Sequence, residues 1–208
     1  MWNENRNDTA ALDTRPRLES PLVGAADLLV AHEALQSKAF RLRQRPFLEL
    51  VNVRGDARDE AFVAAVERTL GVRVPVKPNT IRQAAEYDAL WLGPDEWLVR
   101  SGEPRAATLE PKLSAALAGV FASVVDVSSG YTVLEASGER VRDVLSRGCP
   151  LDLHPRVFAP GRCAQSHYFK ASIMLVPMSH DTFEIVVRRS FADYFCRMML
   201  DAAEPLVS

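Results

Sequence analysis

The sequence is short of glycine, cysteine, long apolar runs and net charge, and each shortage removes a class of function. Ten glycines among 208 residues, with no G-x-x-x-x-G-K-[ST] and no G-x-G-x-x-G, leave no loop that would cradle a phosphate. Three cysteines, Cys149, Cys163 and Cys196, are too few and too scattered for a disulfide framework. An odd number leaves at least one thiol free, and all three read as reduced. No apolar run approaches the roughly 18 residues that cross a bilayer, and Met1 to Ser20 lacks the apolar stretch of a secretory signal. The expectation is a cytoplasmic protein without a membrane partner. Lys and Arg number 25 against 27 Asp and Glu, a formal charge of -2, so nothing favours sequence-blind attraction to nucleic-acid phosphates. What remains is a 48% hydrophobic chain, enough for one large or two small cores.

Residues 1–20 form a polar, charged arm whose sparse apolar groups do not repay the entropy of ordering. Trp2 and Leu12 are its exceptions, and such residues on a polar tail make sense when the tail is laid against another surface. From Leu48 to Val53 the chain alternates like a half-buried strand. Phe62, Val63, Val66 and Leu70 then fall on one helical face, with Asp56 as the capping acceptor and Gly71 as the stop. Ala89–Leu92 and Trp97–Arg100 flank Gly93-Pro94-Asp95-Glu96 as a hairpin. Leu109, Leu113 and Leu117 mark a second helix ended by Gly119. After two extended segments around Ser128-Ser129-Gly130 the order begins again. Ser137 caps a short helix with Val141, Val144 and Leu145 on its buried side, and Gly148 stops it. A proline-punctuated connection follows, then a hairpin of Ile173–Val176 and Phe183–Val187, then a final helix from Ser190 carrying Phe191, Tyr194, Phe195, Met198 and Ala202.

Aligning Gly55 with Gly138, and Pro78-Asn79 with Pro160-Gly161, gives offsets of 83 and 82 residues, the register of a duplication. The expected architecture is α+β, a tandem pair of split βαβ (ferredoxin-like) units. Its divisions are an arm at 1–20, a first half at 21–120 and a second at 121–208, the halves packed as one folding unit because so small a sheet needs a neighbour to finish its core.

Catalytic and metal chemistry find little support. Ser128 and Ser129 after Asp126 lack the G-x-S-x-G elbow, and Ser and Gly serve such turns for backbone reasons. Cys149-x4-His154 and Cys163-x3-His167 supply zinc-type ligands, but mixed pairs separated by Pro155 and Pro160 do not match a structural knuckle. Trp91 and Trp97, either side of one tight turn, are candidates for a partner interface or for the local core. With Trp2 and Leu12 they complete the candidate contact set; no catalytic, cofactor-binding or metal residue is assigned.

Leu90-Trp91-Leu92-Gly93-Pro94-Asp95-Glu96-Trp97-Leu98, Val125-Asp126-Val127-Ser128-Ser129 and Gly148-Cys149-Pro150-Leu151-Asp152-Leu153 together resemble the gamma subunit of heterotetrameric sarcosine oxidase. The Asp-x-Ser segment is similar to one shared by the wider folate-binding T-protein group of the glycine cleavage system. The resemblance implies a T-protein-like fold and a noncatalytic accessory subunit with alpha, beta and delta partners, chiefly alpha. It also implies that the assembly oxidatively demethylates sarcosine to glycine with hydrogen peroxide, hands the one-carbon unit to tetrahydrofolate, and carries FAD, FMN, NAD and zinc on its other chains. Where T-proteins place acidic residues, this chain has Ile173-Met174-Leu175-Val176, which cannot hydrogen-bond a pterin. The rival reading is a freestanding tetrahydrofolate-binding enzyme or sensor of the T-protein class.

Overall fold

The computed structural model describes residues 18–104 and 108–207, so Trp2 and Leu12 lie outside the described residues. The elements are α1 (Ala26–Ala34), β1 (Arg41–Arg45), β2 (Leu48–Arg54), α2 (Glu60–Leu70), β3 (Ile81–Gln83), β4 (Tyr87–Gly93), β5 (Glu96–Pro104), α3 (Leu109–Ala116) and β6 (Ser123–Asp126). They continue with β7 (Tyr131–Ser137), α4 (Val141–Ser146), β8 (Ala164–Tyr168), β9 (Ala171–Pro177), β10 (Thr182–Arg188) and α5 (Ala192–Val207).

Two antiparallel five-stranded sheets result, in the orders β3-β4-β5-β2-β6 and β1-β7-β10-β9-β8. The first contains the split βαβ order β2-α2-β4-β5-α3-β6, with β3 added at its edge. The second repeats it as β7-α4-β9-β10-α5, with β8 added, and β7 starts at Tyr131, 83 residues after Leu48 opens β2. The second unit has no strand after α5 among the described residues. The place beside β7 is taken by β1, which pairs from Arg41↔Ser137 to Arg45↔Val133. Conversely, β6 closes the first sheet against β2. The sheets therefore do not divide at 120/121: β1, before that point, belongs to the second sheet, and β6, after it, to the first. Such pairing depends on partners roughly seventy to ninety-five residues away, which local hydrophobic pattern does not encode.

Helices cover one face of each sheet, and the other two faces meet. Phe62, Val66 and Leu70 of α2 and Leu109 and Leu113 of α3 pack on Val51, Val53, Trp97 and Val99. Val144 and Leu145 of α4 and Phe195 and Met199 of α5 pack on Leu134, Ile185 and Val187. Between the sheets, Leu50, Leu90 and Leu98 meet Val133, Met174 and Val186. The order of layers is helix, sheet, sheet, helix. Central strands are thus apolar on both faces, and burying each such side chain stabilises the fold by about 1.5–3 kcal/mol.

The helix ends follow side-chain chemistry. Asp59 caps α2 by accepting from the Ala61 N–H at 2.9 Å, and Gly71 ends it at φ 74°. The expected cap, Asp56, instead accepts the Arg58 side chain at 3.0 Å and the Arg58 N–H at 2.9 Å. Ser137 is the last residue of β7 rather than a helix cap. The two proline-bearing connections cross each other: the Ile81 N–H donates to the Gly161 carbonyl at 3.2 Å, and the Cys163 N–H to the Asn79 carbonyl at 3.1 Å. Asn79 and Gly161, matched in the duplication, both have positive φ, 58° and 89°. The internal repeat therefore meets itself at this point.

Candidate functional site

The candidate contact residues are separated by the fold. Trp97 is 0% exposed, its indole N–H donates to the Pro75 carbonyl at 2.8 Å, and its ring lies 5.6 Å from that of Phe62. It belongs to the core under α2 and offers no surface to a partner, which corrects its place in the candidate set. The alternation along β5 turns it inward while neighbouring Glu96 stays partly exposed. Trp91, opposite it across the hairpin, is half-buried and keeps part of its ring accessible. The hairpin does not form one aromatic patch.

The Asp126-Ser128 pair is a turn. Asp126 Oδ1 accepts from the Ser128 N–H at 2.9 Å and from its hydroxyl at 2.5 Å, and Ser128 Oγ accepts from the Leu50 N–H at 2.9 Å. This geometry completes the β6–β7 connection where the strand ends, and no histidine is among the hydrogen-bond partners of Ser128. Cys163 lies in the layer between the sheets, where burial pushes its thiol up to about 11. Cys196, on the buried face of α5, is likewise pushed up to about 11 by burial. Among the described residues, no group of three or more His, Cys, Asp and Glu converges as a metal site.

Three charged residues in otherwise apolar strands form the most constrained polar feature. Arg100 of β5, 2% exposed, donates to Asp88 Oδ2 of β4 through Nε at 3.1 Å and Nη2 at 2.9 Å. Its Nη1 bonds Glu184 of β10, on the opposite sheet. Glu184 also accepts from Arg45 Nη1 of β1 at 2.9 Å. At the rim, Arg43 forks onto Glu135 of β7 at 2.8 and 3.0 Å. Burial lowers the Arg100 pKa from its ordinary value, and the Asp88 carboxylate opposes that shift. The ladder joins four strands of two sheets and locks their relative position. Three of its members, Asp88, Arg100 and Glu184, stand as single charges in the apolar stretches of their strands, a signal present in the sequence.

Beside the ladder, a cleft of about 410 Å³ opens at the ends of β1, β2 and β6, lined among others by Leu18, Phe47, Glu49, Asp126, Tyr131 and Arg189. Glu49, buried at its floor, caps α3 by accepting from the Thr108 and Leu109 N–H groups. The sites the sequence did not single out are outward ones. Phe121 is 98% and Val125 48% exposed, Phe121 two residues before β6 and Val125 within it. Among the described residues β6 is also an edge strand of its sheet.

Comparisons with known proteins identify the family. Residues 54–204 match the model of the sarcosine oxidase, gamma subunit family. The sarcosine oxidase subunit gamma of Arthrobacter sp is 33% identical over 168 residues, 80% of this chain and 81% of that one. The corresponding subunit of Corynebacterium sp. (strain U-96) is 30% identical over 197 residues, 94% of each chain. Among solved structures, a chain of the heterotetrameric sarcosine oxidase from Corynebacterium sp. U-96 in complex with pyrrole 2-carboxylate matches with a TM-score of 0.81 and 28% identity, over 91% of this chain and 96% of that one. The glycine cleavage system aminomethyltransferase T from Bartonella henselae matches at a TM-score of 0.65 and 13% identity, over 88% of this chain and 57% of that one. That likeness shows a T-protein-like fold. With a family match across most of its length, a relative above 30% identity and a shared fold, this chain belongs to the sarcosine oxidase gamma subunit family.

Proposed function

We propose that the chain is the noncatalytic, stabilising subunit of a heterotetrameric sarcosine oxidase, packed chiefly on the alpha subunit. In this reading the assembly converts sarcosine to glycine by oxidative demethylation, forms hydrogen peroxide and passes the one-carbon unit to tetrahydrofolate. FAD, FMN, NAD and zinc sit on the alpha, beta and delta chains, in the cytoplasm. The observation that supports it is the near-complete match to a chain of a heterotetrameric sarcosine oxidase. The chemistry of the described residues agrees: Ser128 is tied into a turn, and the ionised side chains at the centre neutralise one another across the sheets. The hairpin strand Ile173–Val176 spends its side chains on the two cores, leaving none to recognise a pterin.

The test is co-expression with alpha, beta and delta chains, followed by size-exclusion chromatography and titration of the isolated chain with tetrahydrofolate by calorimetry. Co-elution in one complex and no heat with folate is expected. A chain that elutes alone and binds tetrahydrofolate tightly would support the freestanding folate protein instead.

A further inference from the structure

The 27 acidic residues are unevenly spread along the chain. None falls in 68–85, which carries four basic residues, Lys77 and Arg82 among them, and none in 153–180, which carries three, including Arg162. These stretches hold the two proline-bearing connections matched in the duplication. The rest of the chain has 18 basic residues against all 27 acidic ones. A chain with a formal charge of -2 thus concentrates positive charge in two segments, and the fold brings those segments together.

Their crossing sets the geometry. Thr80 pairs with Arg162 as an antiparallel bridge, and the Trp91 N–H donates to the Thr80 carbonyl at 3.0 Å. Ile81 and its partner Leu90 belong to the layer between the sheets. Alternation along β3 and β4 then turns Thr80, Arg82 and Trp91 to the opposite, outer face, and Arg162 shares the face of Thr80, which it opposes. Trp97, across from Trp91, is packed under α2, whereas Trp91 is half-buried. Lys77, whose carbonyl accepts the Thr80 hydroxyl, is exposed, as is Arg82, and Val76 beside Lys77 is 71% exposed. Glu60 and Glu67 of α2 border a groove with Arg82, but Glu67 is taken by Arg73 at 2.8 Å. Among the described residues, no ion pair holds Lys77, Arg82 or Arg162.

We infer that this outer patch, Trp91 with Lys77, Arg82 and Arg162, docks an acidic segment of a partner subunit. The indole supplies the apolar anchor and the cations meet the segment's carboxylates. The inference rests on the subunit reading above. Charge selects the occupant. A second copy in a two-fold contact would set the patch against itself, cation on cation. Residues 1–17 contain three acidic and three basic residues, so the arm brings no net charge to match. A nucleic acid carries a phosphate about every 3.4 Å along each strand and would run past the patch onto a surface where acids outnumber bases. A short acidic stretch of protein meets none of these objections.

The experiment co-expresses alpha, beta and delta chains with the wild-type chain, with Lys77→Glu/Arg82→Glu, or with Lys38→Glu/Lys112→Glu, which makes the same change in net charge at exposed sites elsewhere. All three chains are expected to unfold at the same temperature. The patch variant is expected in the purified complex at least tenfold less than wild type, and the control variant at the wild-type level. In parallel, hydroxyl-radical labelling of Trp91 in the wild type, mapped by mass spectrometry, should fall at least fivefold on assembly, a readout independent of the variants. Equal incorporation of the patch variant, an equal loss in the control, or unchanged labelling of Trp91 overturns the inference while leaving the subunit reading intact. So does low labelling of Trp91 in the isolated chain that rises on deleting residues 1–17, or self-association or DNA-oligonucleotide binding of the isolated chain that the patch variant abolishes. Failure of the wild type to assemble overturns both.

Discussion

Replacing Arg100 by alanine removes the central cation of the inter-sheet ladder. Asp88 is then buried without its guanidinium partner, while Glu184 keeps Arg45 at 2.9 Å. Breaking a buried pair by deleting one member costs about 3–5 kcal/mol, chiefly because the remaining charge is uncompensated. Against a total domain stability of about 5–15 kcal/mol, that loss is severe. The origin of the penalty can be isolated. Arg100→Met with Asp88→Leu removes both charges and refills the volume, so it should recover most of the loss, since apolar replacement of a buried pair is often neutral. Arg43→Ala supplies the contrast: its partner Glu135 is shared with Arg45, and Arg43 itself is largely exposed. It should cost at most about 1 kcal/mol. Urea unfolding followed by circular dichroism measures all three. A loss below about 1 kcal/mol for Arg100→Ala, or no recovery in the double variant, would refute the claim that this ladder locks the sheets.

Three further outcomes follow from the same geometry. Trp97→Phe removes the bond to the Pro75 carbonyl and should lower stability by about 1–3 kcal/mol by thermal melting, without changing complex formation. Cys149, Cys163 and Cys196 are buried, so a thiol reagent at pH 8 should find none of them in the native chain and all three after unfolding in urea. His32, packed 5.6 Å from Phe40, has its pKa lowered from 6.5 mainly by burial, partly offset by its bond to the Phe40 backbone. The unfolded chain then binds the proton more readily, so stability falls as pH drops from about 6.5 through the folded-state pKa. His32→Gln should flatten that slope in melts between pH 8 and pH 5.

Much of the fold was legible because its signals are local. Alternation at Leu48–Val53, the helical face of Phe62, Val66 and Leu70, the Gly71 stop and both hairpins fall where the residues placed them. The duplication register also held, down to the contact between Asn79 and Gly161. α1 and β1 were not legible. Leu28 and Val30 of α1 are exposed, so its apolar residues follow no single face, and β1 buries Leu42 alone. Its membership of the second sheet is decided by pairing with β7. The adhesive features were half legible. The sequence leaves Trp97 open between core and interface because tryptophan near a turn serves both. Phe121 opens an extended segment in the sequence, but nothing local marks its side chain as outward.

In the function proposed above, this chain supplies structure to the assembly and no reacting group. The most direct test purifies the assembly with and without this chain and measures peroxide production from sarcosine per bound flavin, first at once and then during incubation at elevated temperature. Equal initial turnover per flavin and faster decay without the chain are expected. An assembly that lacks the chain, retains its flavins and its thermal lifetime, yet turns over no sarcosine would contradict it.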